Sequence, residues 1–106
     1  MNEQIIKELF NILTQRKEFN EEQSYTSYLI KNPELLAKKI GEESSELIID
    51  FLKKNKQGVI KESADLIYHI LVIWVFLSIK PQDIWNELSS RKLKSGIEEK
   101  KNRGEK

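Results

Sequence analysis

Apolar residues recur along this chain at the spacing of a helix, and no stretch alternates as a strand would. Ile5, Leu9, Ile12 and Leu13, with Ile6 and Phe10 beside them, fall at i, i+4, i+7 and i+8. That is the stripe of an amphipathic helix, expected to run from Asn2 to about Arg16 or Lys17. Residues 17–24 are polar and read as a loop, and residues 25–30 have room for one or two helical turns. Asn32-Pro33 is a start signal: Asn can cap, and proline's missing N–H costs nothing at a first helical position. The helix it opens is expected to reach about Lys54, with Leu36, Ile40, Leu47, Ile48, Phe51 and Leu52 as its apolar positions. Gly41 to Glu46 interrupts that stripe, and a glycine inside a helix hints at close approach of another backbone or a ligand. After a short connection near Asn55, a helix from about Lys56 to Ile79 turns apolar nearly all round, as at the centre of a bundle. Pro81 opens a last helix to about Leu93, and Ser95-Gly96 ends it.

The pattern predicts an all-α protein, a bundle of four to five helices. Two long helices joined by so short a connection must lie antiparallel, which makes a central hairpin. The 106 residues allow one domain. It is expected over residues 1–93, with residues 94–106 as a charged tail. Ile67, Ile70, Leu71, Trp74, Val75 and Leu77 present more apolar surface than so short a chain is expected to cover. A homodimer or higher homo-oligomer is therefore expected.

Composition narrows the chemistry. There is no Cys, which excludes disulfides, thiolate nucleophiles and Cys-based zinc sites. A single His excludes a two-His zinc motif. Any metal would be held by oxygens. The net charge of +1 hides an asymmetry: from Arg91 onward there are seven Lys/Arg against three Glu, and before it 11 against 14 acids. A nucleic-acid partner is not indicated. The basic tail suits a solvated end or a clamp for an anion. The chain opens Met1-Asn2-Glu3 rather than with a basic, then apolar, leader. Its longest nearly apolar run, Leu66–Ile79, is 14 residues, against about 20 to span a bilayer. No membrane partner and a cytoplasmic location are expected.

The chemistry-bearing pattern is acidic. Glu42, Glu43, Glu46 and Asp50 share one arc of the first long helix, and Glu62 and Asp65 share a face of the next. Like charges at i, i+4 repel, so this arc is not arranged for helix stability. Glu46 lies nine residues before Asn55 and Glu62 seven after it, so in an antiparallel pair the two sets face each other at similar height. Four carboxylates from two facing helices form an oxygen cage suited to Mg²⁺ and poorly suited to zinc. The alternative is a solvated charged face. Lys38 and Lys39, one turn earlier, either meet phosphate oxygens or pair with Glu42 and Glu43. His69, four residues after Asp65, reads as a hydrogen-bond partner behind a metal-binding carboxylate. Tyr68, Trp74, Phe76 and Trp85 read as packing residues.

Lys38-Lys39-Ile40-Gly41-Glu42-Glu43-Ser44-Ser45-Glu46, followed by Glu62-Ser63-Ala64-Asp65-Leu66-Ile67-Tyr68-His69, resembles the phosphoribosyl-ATP pyrophosphatases of histidine biosynthesis. That family lies within the all-α MazG-like nucleotide pyrophosphohydrolases. Ser24-Tyr25-Thr26 and the tail from Ser95-Gly96 to Arg103 are similar to two further family segments. Ser44, Ser45 and Ser63 stand where the family usually has Ala, and Lys101-Asn102 replaces its usual Ala-Ser. The resemblance implies Mg²⁺-dependent hydrolysis (Mn²⁺ as a substitute) of 1-(5-phosphoribosyl)-ATP to 1-(5-phosphoribosyl)-AMP and pyrophosphate. It implies Glu43, Glu46, Glu62 and Asp65 as metal ligands, and Glu42 or another incompletely engaged carboxylate, Glu43 or Glu46, as the group that orients or deprotonates water. Lys38, Lys39, Ser95, Lys100 and Arg103 become substrate-binding candidates. The competing readings are a MazG-like enzyme for another nucleoside triphosphate and a non-enzymatic helical association module.

Overall fold

The computed structural model describes residues 2–92, and these form five helices and no strand. They are α1 (Asn2–Arg16), α2 (Tyr25–Lys31), α3 (Pro33–Leu52), α4 (Lys56–Leu77) and α5 (Pro81–Arg91). The predicted starts at Pro33 and Pro81 are first-turn prolines, as expected of a residue with no N–H to satisfy. Asn55 caps α4, its side-chain oxygen accepting the Gly58 N–H at 3.1 Å. Asn32 differs from expectation. Its side chain makes no cap bond to α3; its amide instead donates to the Tyr28 carbonyl at 2.7 Å and closes α2. The two long helices end alike, just past their last residues, in left-handed residues. Lys54 has φ 58° and Ser78 φ 59°. In each case the next N–H reaches back five residues, Asn55 to Asp50 and Ile79 to Trp74.

The core takes one apolar stripe from each of four helices. Leu13, Leu29, Leu36, Leu71, Val72 and Val75 are buried, with Ile6, Leu9, Phe10, Ile30, Leu35, Tyr68, Ile73 and Trp74 packed around them. Each such Leu contributes roughly 1.5–3 kcal/mol. This core sits at the end of α4 away from the 53–55 connection. α3 and α4 form the most extensive helix pair. Their contacts climb α4 as they descend α3, from Glu43 with His69 to Glu46 with Glu62 to Asp50 beside Gly58, so the helices run in opposite directions.

The exposed apolar surface is placed differently from the sequence expectation. Leu71 and Val75 face the core, covered within the chain, while Ile67 and Leu77 stay exposed. The larger bare surface is at the connection end of the hairpin, at Ile48, Ile49, Phe51, Leu52 and Ile60. Among the described residues no single helix is long and apolar enough to cross a membrane.

Candidate functional site

The acidic residues are carried by the middle of the α3–α4 hairpin. Glu62 is almost buried, and loss of solvent raises its pKa above the ordinary glutamate value. A hydrogen bond and charge repulsion from the Glu46 carboxyl push it the same way. Two carboxyl groups set this close mark a place where positive charge is wanted. Lys61 supplies some of it from the rim. Its ammonium lies 3.8 Å from Glu62 and 3.5 Å from Asp65, and Glu62 is the largest cause of its raised pKa. The sequence reading passed over this lysine, although its position beside Glu62 and four residues before Asp65 was the available signal.

Glu43 points inward. Its Oε1 is buried and has no hydrogen-bond donor of its own among the described residues. It lies 2.7 Å from His69 Nδ1. That nitrogen directs its hydrogen bond to the Asp65 carbonyl at 2.8 Å, which leaves the carboxylate oxygen close but off axis. On the far side of the ring, His69 Nε2 meets the Tyr25 hydroxyl at 3.3 Å. Tyr25 stacks on Tyr68, with ring centres 6.2 Å apart and planes 11° apart. Tyr68 in turn shares a 2.7 Å hydrogen bond with Thr26. Tyr68 therefore does more than pack, and Tyr25 joins the site although periodicity gave no sign of it. The only sequence signal was the Ser24-Tyr25-Thr26 segment. Burial raises the Tyr25 pKa, and Tyr68 and Glu43 add to the rise.

Glu42 is exposed and pairs with Lys39 at 3.8 Å, an i, i+3 contact in place of the i, i+4 pairs expected for the two lysines. Lys38 is exposed on the same helix. Asp50 turns to the connection, where it accepts from the Asn55 amide at 3.4 Å. Gly41 has open space where a Cβ would stand, so no backbone of the described chain approaches it. Ser95, Lys100 and Arg103 lie outside the described residues.

A divalent cation can be tested against these groups. Among the described residues, no three His, Asp or Glu side chains converge on one ion position. The donor set nevertheless fits a hard cation: it is all oxygen, it holds an orphaned buried carboxylate oxygen on Glu43, and it sets the Glu46 and Glu62 carboxyls against each other. Glu46 and Asp65 stand near the surface, where side-chain rotation costs little. A cleft of about 610 Å³ lies elsewhere, between α1 and the start of α5, against Lys7, Phe10, Lys80 and Trp85.

The sequence model of a family described as phosphoribosyl-ATP pyrophosphohydrolase matches residues 6–92. Proteins named phosphoribosyl-ATP pyrophosphatase are similar over nearly the whole chain. One from Clostridium novyi is 43% identical, covering 90% of this chain and 87% of its own length. One from Paramagnetospirillum magneticum is 38% identical over 96% and 94%. One from Saccharolobus solfataricus is 41% identical over 87% and 99%.

Proposed function

Because the chain belongs to the phosphoribosyl-ATP pyrophosphohydrolase family, and is thus a hydrolase, we propose that it cleaves 1-(5-phosphoribosyl)-ATP between the α- and β-phosphates. The products are 1-(5-phosphoribosyl)-AMP and pyrophosphate, in histidine biosynthesis. The observation that carries this reading is the Glu46–Glu62 carboxyl pair across α3 and α4, beside the orphaned Glu43 oxygen. Glu43, Glu46, Glu62 and Asp65 would hold Mg²⁺ or Mn²⁺. The ion, when bound, neutralises phosphoryl oxygens and lowers the barrier to attack by water. Glu42 keeps acceptor capacity at the surface, since Lys39 at 3.8 Å is beyond hydrogen-bond distance, and it can orient that water. Lys38 and Lys39 flank the same face and suit phosphate oxygens. Ser95, Lys100 and Arg103 in the tail are further candidates for the phosphates, Ser95 through its hydroxyl and Arg103 with a fork that matches phosphate.

The bare apolar end of the hairpin supports a homodimer, since contiguous exposed apolar surface of this kind marks an association face. A cytoplasmic location fits this role in metabolism. The test is pyrophosphate release from phosphoribosyl-ATP and from a panel of nucleoside triphosphates, with Mg²⁺, with Mn²⁺ and with chelator. Metal-dependent release that favours phosphoribosyl-ATP is expected. Preferred turnover of an ordinary nucleoside triphosphate would assign the chain a different substrate.

A further inference from the structure

His69 is buried, with 5% of its surface exposed, and its ring is held from several sides. Nδ1 faces two acceptors, the Asp65 carbonyl at 2.8 Å and Glu43 Oε1 at 2.7 Å. A lone pair there would repel both, so Nδ1 carries the proton. On the opposite edge of the ring, Nε2 lies 3.3 Å from the Tyr25 hydroxyl, which is placed to donate to it. The ring also meets both stacked tyrosines edge-on, Tyr68 at 5.0 Å and 89° and Tyr25 at 5.9 Å and 88°.

The seven-residue α2 is built to deliver that phenol. The Ser24 side chain caps the helix, Thr26 bonds Tyr68, and the Ser27 hydroxyl donates to the Phe19 carbonyl. Tyr25 itself is 47% exposed, so packing alone does not account for a hydroxyl turned to a buried nitrogen rather than to water. We infer that Tyr25 is a positioning residue of the hydrolytic site: its hydroxyl holds His69 in the Nδ1–H tautomer, and the fixed ring edge, 2.7 Å from Glu43 Oε1, limits where that carboxylate can turn. This rests on the functional reading above. A carboxylate fixed before substrate arrives needs no reorganisation during the reaction, so losing the clamp acts on turnover rather than on binding.

The experiment is Tyr25→Phe, which removes one oxygen and keeps the stacked ring. We expect kcat to fall about tenfold, with KM within about twofold and an unchanged melting temperature. In a His69→Asn background the same change should cost less than about twofold, because the residue it acts through is gone. His69 is the only histidine in the chain, so its ¹⁵N signals are unambiguous. In the metal-free wild type they should show Nδ1 protonated and Nε2 bare, and Tyr25→Phe should shift Nε2. A wild-type proton on Nε2, an unchanged kcat, or a rise in KM with both nitrogen signals unmoved would each overturn the inference. The nitrogen signals need neither metal nor substrate. They therefore judge the clamp even if the wild type failed on phosphoribosyl-ATP, a failure that would overturn the functional reading instead.

Discussion

Glu62 and Glu43 are both turned away from water, yet the fold treats them differently: one meets the repelling Glu46 carboxyl and the other rests against His69. The Glu62 arrangement has a signed consequence for stability. Its folded pKa is raised, so between the ordinary glutamate value and that raised value the folded state binds more protons than the unfolded chain. Stability of the metal-free protein should therefore fall as pH rises through that window. Glu62→Gln should flatten the dependence in urea titrations at a series of pH values, and saturating Mg²⁺ should do the same for the wild type. Glu46→Ala should abolish pyrophosphate release while changing metal-free stability by no more than about 0.5 kcal/mol, since it removes a repelling charge at the surface. Retained turnover would take Glu46 out of the site. The opposition of Glu46 and Glu62 follows from counting residues on either side of Asn55. Tyr25 does not follow from any count, because a contact between residues 44 apart leaves no periodic trace.

The long elements were legible because their signals are local. Proline at a first turn, Asn55 before a helix and an apolar stripe each act within a few residues. Asn55→Ala, which leaves the Gly58 N–H without its 3.1 Å acceptor, should cost about 1 kcal/mol in the denaturant midpoint. Asn32 shows where the local rule fails. It stands between two helices, and its amide found the free carbonyl of the preceding one before its oxygen found the N–H groups of the next. The short α2 is the least legible element. Seven residues cannot sustain a helix alone, and this one stands because buried Leu29 and the Thr26–Tyr68 bond tie it to the core.

At the scale of the molecule, the hairpin extends beyond the core that α1 and α2 cover, and the uncovered end is apolar on both helices. Ile48 is 58% exposed, Leu52 71% and Ile60 61%. Light scattering should give the mass of two chains for the wild type and of one for Ile60→Glu; a wild-type monomer at micromolar concentration would leave this face unexplained by self-association. The surplus of apolar residues could be counted in the sequence, but its location could not, because Leu71 and Val75 are covered by elements distant along the chain. The other end of the molecule holds a built-in reporter. The chain's two tryptophans, Trp74 of α4 and Trp85 of α5, meet edge-on with ring centres 6.3 Å apart. None of the residues of α5 is fully buried, so that helix is held by shallow contacts and is the first candidate to detach on heating. Intrinsic emission from this protein consequently monitors one joint rather than the whole fold. A melt followed by fluorescence should turn over at lower temperature than one followed by helical circular dichroism, and the gap between them measures how tightly the last helix is latched.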